Sequence, residues 1–186
     1  MRIVAGRFRG RPLAEPTDGR VRPTSDRVRE SVFNIIAHNA EAPDVDGARV
    51  IDLFAGTGAL GLEALSRGAA YCLFVEEDAA ARALIRTNVE AFGLTGVTKI
   101  FRRDATSLGP AGTQGPFRIA FLDPPYGKGL ADKALVALTE GWLEPGALVV
   151  VEERAGTELA VPPTYAAFDR RNWGETDVHF LRYASA

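Results

Sequence analysis

Five continuous apolar runs constrain this chain more than any other feature. They cover residues 49–55, 71–75, 97–101, 117–122 and 147–151, and most lack the alternation of a strand with one wet face. Such runs predict a parallel sheet covered on both sides. Helical patterns separate them. Val28, Val32, Ile35 and Ile36 share one face after a cap at Thr24 or Ser25, and residues 59–67 end at Gly68. Asp78 caps a helix whose Leu84, Ile85, Val89 and Phe92 face inward, and a last helix is expected near 130–139. Beyond Pro163, residues 165–171 and 178–183 flank Asn172-Trp173-Gly174-Glu175 as an antiparallel hairpin. The expected fold is α/β: a doubly wound, Rossmann-like, mostly parallel seven-stranded sheet with a C-terminal antiparallel hairpin. A Gly-, Arg- and Pro-rich opening segment makes a small strand or hairpin arm, so the chain divides into an arm over 1–22 and a catalytic domain over 23–186.

Composition excludes several classes. A chain of 186 residues that is 46% hydrophobic and 25% charged is large enough for one well-filled core. No apolar run approaches the ~20 residues that cross a bilayer, and the N-terminus lacks a signal-peptide stretch. The single cysteine, Cys72, fits a reducing cytoplasm and reads as a buried strand residue. His38 and His179 are the only histidines, so neither a metal site nor a Cys/His nucleophile is expected. The net charge of −2 conceals an asymmetry: residues 1–30 hold eight Arg against four acids, and the remainder 14 basic against 20 acidic groups. A basic arm on an acidic body suits contact with phosphates, and equally suits a solvated tail.

Chemistry concentrates at the strand ends. The first run leads into Asp52-Leu53-Phe54-Ala55-Gly56-Thr57-Gly58-Ala59-Leu60-Gly61, where Gly56, Gly58 and Gly61 satisfy G-x-G-x-x-G in a strand–turn–helix context. Glu76 ends the next strand twenty residues after Gly56, where an acid accepts from both hydroxyls of a ribose. The pattern alone leaves NAD open. S-adenosylmethionine is favoured because Asp52 is placed to orient a cationic amino-acid moiety, whereas NAD sites set a pyrophosphate on the helix N-terminus. Asp104-Ala105, after the third strand, is placed for an adenine amino group. Asp52 as a turn- or helix-bonding acid is the plainer alternative.

After the fourth strand comes Asp123-Pro124-Pro125-Tyr126. Two prolines stiffen the loop and remove two donors, leaving carbonyls free to accept beside an aromatic ring. That combination suits a planar heterocycle with an exocyclic amine: Asp123 and the Pro124 carbonyl accept its two N–H groups while Tyr126 stacks. A strand-terminating turn is the bland reading. Glu152-Glu153 reads as polar termination of the fifth strand.

With these motifs the chain resembles class I methyltransferases acting on exocyclic amines. Over nearly its full length it is similar to the RsmD family of bacterial 16S ribosomal RNA guanine-N2 methyltransferases. The more specific parts of that likeness are Gly6-Arg7-Phe8-Arg9-Gly10-Arg11 and residues 22–34, from Arg22-Pro23-Thr24-Ser25-Asp26-Arg27 to Asn34. The resemblance implies S-adenosylmethionine as cofactor and the N2 amine of guanine 966 in 16S ribosomal RNA as target, in an assembling small subunit. The candidate residues are Asp123, Pro124, Pro125 and Tyr126 for catalysis. Asp52, Phe54, Gly56, Gly58, Glu76, Asp104 and Ala105 are those for cofactor. Arg7, Arg9, Arg11, Arg22, Thr24 and Arg27 are those for RNA. Arg22, Arg27 and Arg29 sit near a helix N-terminus, where the dipole disfavours cations, so they await partners; Asp26 and Glu30 are the local ones. A cytoplasmic monomer is the default expectation. Adenine-N6 or another amino methylation remains the nearer alternative, and an NAD-dependent oxidoreductase or a noncatalytic RNA-binding module the more distant ones.

Overall fold

The computed structural model describes residues 1–18 and 24–184. The first helix, α1 (Asp26–His38), precedes β1 (Arg49–Leu53), α2 (Ala59–Ser66), β2 (Tyr71–Val75), α3 (Ala79–Ala91) and β3 (Thr98–Phe101). Then come β4 (Phe117–Leu122), α4 (Leu130–Ala137), β5 (Leu143–Arg154), β6 (Tyr165–Trp173) and β7 (Thr176–Tyr183). They form one seven-stranded sheet ordered β3-β2-β1-β4-β5-β7-β6. Pairing is parallel from β3 to β5 and antiparallel between β5, β7 and β6. The chain winds outward from β1 to β3, then crosses back and starts again at β4. That crossing leaves a crevice at the carboxyl ends of β1 and β4, where sheets of this kind bind ligands.

The helix boundaries follow the chain's own signals. The Ser25 hydroxyl accepts from the Val28 N–H (3.2 Å) to cap α1, and the Asp78 carboxylate accepts from the Ala81 N–H (2.8 Å) to cap α3. The apolar runs of β1, β2, β4 and β5 are buried apart from Arg49, Tyr71 and Arg118, whereas β3 at the sheet edge is only half-buried, and core layers lie on both faces of the sheet. The fifth strand is longer than its apolar run. It continues through Glu152 and Glu153 to Arg154, because β7 pairs with every residue of that end. Those two acids are therefore buried members of the strand rather than its polar end.

The arm folds back on itself through a bridge between Arg2 and Pro12 and docks against the domain. Ile3 and Leu13 join the core layer beneath α1 and α2. A buried acid anchors the arm: the Glu63 carboxylate accepts from the Val4 N–H (3.1 Å) and the Ala5 N–H (3.2 Å) and pairs with Arg67 (3.1 Å). The Ser66 hydroxyl donates to the Ala5 carbonyl (2.6 Å) and accepts from the Phe8 N–H (3.1 Å). Gly6 has φ +82° and lies so close that any Cβ would meet the Ser66 carbonyl. Glu63→Ala leaves two amides and a guanidinium without their partner, so it should lower unfolding stability by about 3 kcal/mol in urea titration. A change within ~0.5 kcal/mol, the usual range of a surface substitution, would contradict the anchor.

Candidate active site

Four consecutive strands deliver their next residues to one edge of the sheet. In register, Val75 pairs with Leu53, Leu53 with Leu122, and Leu122 with Val151. The residues that follow are Glu76, Phe54, Asp123 and Glu152, and all four line one cleft of about 890 Å³. Asp52, Gly56, Asp104, Pro124, Pro125, Tyr126 and Thr24 line it too. Residues expected for cofactor and for amine thus share a single cavity.

The cofactor half is built from strained turn backbone and fixed acceptors. Phe54 has φ +56°, rare for a bulky residue and costing about 1–3 kcal/mol, and Gly56 follows at φ +58°. The Glu76 carboxylate accepts from the Gly56 N–H (2.8 Å) and the Asp78 N–H (3.0 Å), which fix it at the cleft. Asp104 accepts through Oδ1 from both the amide (2.8 Å) and hydroxyl (2.7 Å) of Thr106. Asp52 is buried and accepts from the Gly61 N–H (3.0 Å), so it holds the first turn of α2 while also lining the cleft. Two expected residues stand elsewhere. Gly58 (φ +80°) supplies the N-terminal turn of α2 against Phe74 and Ile85, and the Ala105 side chain is buried in the core. Gly61 permits the close approach of α2 to β2, since a Cβ there would press on Phe74 and Cys72.

In the amine half, the Thr24 hydroxyl lies 2.8 Å from Asp123 Oδ2 and 3.2 Å from Glu152 Oε2. Thr24, expected at RNA, here bonds the acid of the Asp123-Pro124-Pro125-Tyr126 loop. Tyr126 presents its ring to the cleft while its hydroxyl bonds the Thr176 hydroxyl (2.9 Å), which ties the loop to the terminal hairpin. The Glu153 carboxylate accepts from the Gly127 N–H (3.3 Å) and steadies the loop's far end. Sequence reasoning missed Glu152. Its signal was the one that marks Asp123, an acid placed directly after a buried apolar run.

Charge in the cleft is negative and poorly solvated. Burial drives the Asp52 carboxyl well above the usual carboxylate range, with smaller pushes from Asp123 and Glu76 against the lowering effect of the Gly61 N–H. Burial also raises Asp123 and, more strongly, Glu152. Among the described residues these acids form no group able to hold a metal ion. A cationic ligand would relieve the cluster.

The arginines divide by surroundings. Arg11 donates to the Ala91 carbonyl (2.7 Å) and lies 4.5 Å over the Phe92 ring, so it closes the end of α3. Arg7 stacks on Phe8 (4.6 Å), Arg9 and Arg27 are exposed, and Arg22 lies outside the described residues. Arg29 is buried and bonds Asp26 (2.9 Å), the Arg2 carbonyl and the Thr24 carbonyl. Of the described arginines expected at RNA, Arg7, Arg9, Arg11 and Arg27, none lines the cleft.

The family described as Conserved hypothetical protein 95, that of RsmD, matches residues 1–182. The chain belongs to this family. It is 40% identical over 163 residues to Bacillus subtilis YlbH, covering 86% of this chain and 85% of that protein. It is 36% identical over 193 residues to Ribosomal RNA small subunit methyltransferase D of Escherichia coli, covering 95% of this chain and 93% of the relative. The solved Escherichia coli yhhF structure superposes with a TM-score of 0.85 at 31% identity, over 100% of this RsmD-family chain and 99% of the other. The fold is that of class I methyltransferases.

Asp52 gives this cleft a pH signature. Its folded-state affinity for the proton exceeds that of the unfolded chain, which ionises near pH ~3.9. The unfolded chain therefore releases this proton first, and stability falls as pH rises from about 4 through the folded-state value. Asp52→Asn keeps an acceptor for Gly61 and removes that loss. It should be more stable than wild type by at least about 1 kcal/mol at pH ~8, with a smaller gain at pH ~5, in urea titrations. An equal or lower stability at the higher pH would contradict the buried charge.

Proposed function

We propose that this chain transfers a methyl group from S-adenosylmethionine to the exocyclic N2 amine of a guanine in 16S ribosomal RNA. The observation that carries this reading is the shared cleft: Asp123-Pro124-Pro125-Tyr126 opens into the same cavity as Asp52, Gly56, Glu76 and Asp104. Membership of the RsmD family and the name of the Escherichia coli relative support the ribosomal substrate. The chain's residues fit the cofactor. Glu76, immobilised by two amides, offers free lone pairs to ribose hydroxyls, and the acid cluster favours a cation beside Asp52. Asp104 keeps its second oxygen for an adenine amino group. S-adenosylmethionine, when bound, supplies a methyl group already activated by positive charge.

The protein's task is then chiefly positional. The guanine amine is a weak nucleophile because its lone pair is delocalised into the ring. Accepting its N–H groups at Asp123 and at the Pro124 carbonyl draws the nitrogen toward pyramidal geometry and aims its lone pair. Orientation of two reactants is worth about 7–11 kcal/mol, whereas acid–base catalysis contributes about 10²–10⁴-fold, or ~3–5 kcal/mol. Positioning dominates. Tyr126, its ring held at the cleft by Thr176, provides the stacking surface, worth about 1–3 kcal/mol per base, which helps offset extruding the base from its stack. The basic arm extends the surface toward phosphates. With Arg7 and Arg11 engaged in stacking, the exposed Arg9 is the freest cation among the arm's described residues.

The decisive assay incubates radiolabelled S-adenosylmethionine with 16S ribosomal RNA or small subunits from cells lacking the gene, then digests the RNA to nucleosides. Label in N2-methylguanosine is expected; label in N6-methyladenosine, or none, would overturn the reading. Asp123→Ala should abolish transfer and leave cofactor affinity by calorimetry within about twofold, since its stake is in the transition state. Tyr126→Ala should lose more activity than Tyr126→Phe; equal losses would assign the role to the hydroxyl. Arg9→Glu should weaken RNA binding and flatten its salt dependence, and an unchanged slope would remove Arg9 from the interface.

A further inference from the structure

The proposed reaction gives no role to Glu152, yet this acid shares the Thr24 hydroxyl with Asp123. Thr24 Oγ1 lies 3.2 Å from Glu152 Oε2 and 2.8 Å from Asp123 Oδ2, so the two carboxyl groups converge on one hydroxyl. A hydroxyl has one proton to donate, and two ionised carboxylates have none to share. The buried Glu152 Oε1 is reached by no N–H or O–H donor. An ionised Glu152 would leave that oxygen sealed and unpaired at a cost of several kcal/mol, whereas a protonated one places a donor beside Asp123.

The surroundings agree. Asp52 faces the pair from β1, with Glu76 beyond it, and Glu153 adjoins it on β5. On β7 the residue opposite Glu152 is Val178, flanked by Asp177 and by His179, whose own proton affinity is lowered by burial and by Arg170. From the α1 side come Thr24 and the buried Arg29, which is committed to Asp26 and to backbone carbonyls. Among the described residues no Lys or Arg pairs with Asp52, Asp123 or Glu152, so no cation among them holds both members of the pair ionised.

We propose that Glu152 is a positioning residue that shares one proton with Asp123, so that the pair meets the amine as a single negative charge aimed by Thr24. The inference rests on the amine-methyltransferase reading of the cleft. During transfer the nitrogen lone pair forms the new N–C bond and the electrons of the C–S bond remain on sulfur as a neutral thioether. The surplus N–H proton passes to Asp123. The pair thereby becomes neutral, the state that burial favours, and the half-buried Asp123 returns the proton to solvent through the cleft. Two ionised carboxylates would instead repel, and Thr24 could hold only one of them in place.

The test measures single-turnover methyl transfer to small subunits from cells lacking the gene, between about pH 5 and 9, for wild type, E152Q and E152A. Wild type should show an acid limb from protonation of Asp123 and an alkaline limb from loss of the shared proton. E152Q, whose amide donates at every pH, should keep the acid limb, lose the alkaline one and run within about tenfold of wild type. E152A should fall about 100-fold while its cofactor affinity changes less than ~2-fold and its thermal melting shows a folded protein. An alkaline limb that persists in E152Q, or an E152A rate equal to wild type, overturns the proposal. Absence of transfer by wild type itself would instead overturn the activity on which the inference rests.

Discussion

The register between neighbouring parallel strands is the constraint from which the site follows. Because Leu53 pairs with Leu122 and Leu122 with Val151, the backbone itself sets Phe54, Asp123 and Glu152 side by side where three strands leave the core. A slip of one residue would turn every buried side chain of a strand to the opposite face. The core residues on both faces of β1, β4 and β5 forbid such a slip, so apolar packing far from the cleft fixes distances within it. The winding of the chain adds the location, since the break in strand order opens the crevice at those same ends.

That arrangement gathers acids where solvation is poor. Asp52, Asp123 and Glu152 all hold their protons more tightly than they would in water, mainly because burial penalises their charge. Phe54 adds backbone strain at the same edge. The free protein thus bears destabilising features that a cationic, adenosine-bearing ligand would relieve, a common trade of stability for function. The arm compensates elsewhere. Its Glu63 and Ser66 anchors tie residues 4–8 to α2, while Arg29 links Arg2 to Thr24 and so joins the arm to the cleft.

Much of this was legible in the chain. The continuous runs gave the parallel strands, since no alternating pattern could be buried on both faces. Asp78, and Ser25 as one of two candidates with Thr24, marked helix starts through side chains that bond the next turn's amides. The Gly-rich turn, Glu76 and Asp123 were each visible as a change from apolar to polar at a strand end. Contacts between distant segments were not legible. Glu152 read as polar fraying because nothing local reveals that β7 pairs beyond it, and Thr24 read as a cap or RNA contact because Asp123 is 99 residues away. Arg11 looked like a free cation for the same reason. Its partner carbonyl at Ala91 is 80 residues along the chain.

The proposed function requires an amine brought to Asp123 beside a bound methyl donor. Mapping of modified guanosines in 16S ribosomal RNA from cells lacking this gene tests that most directly. The expected result is loss of one N2-methylguanosine, restored by the wild-type gene and not by the Asp123→Ala variant. An unchanged set of N2-methylguanosines in the deletion, or full restoration by the variant, would contradict it.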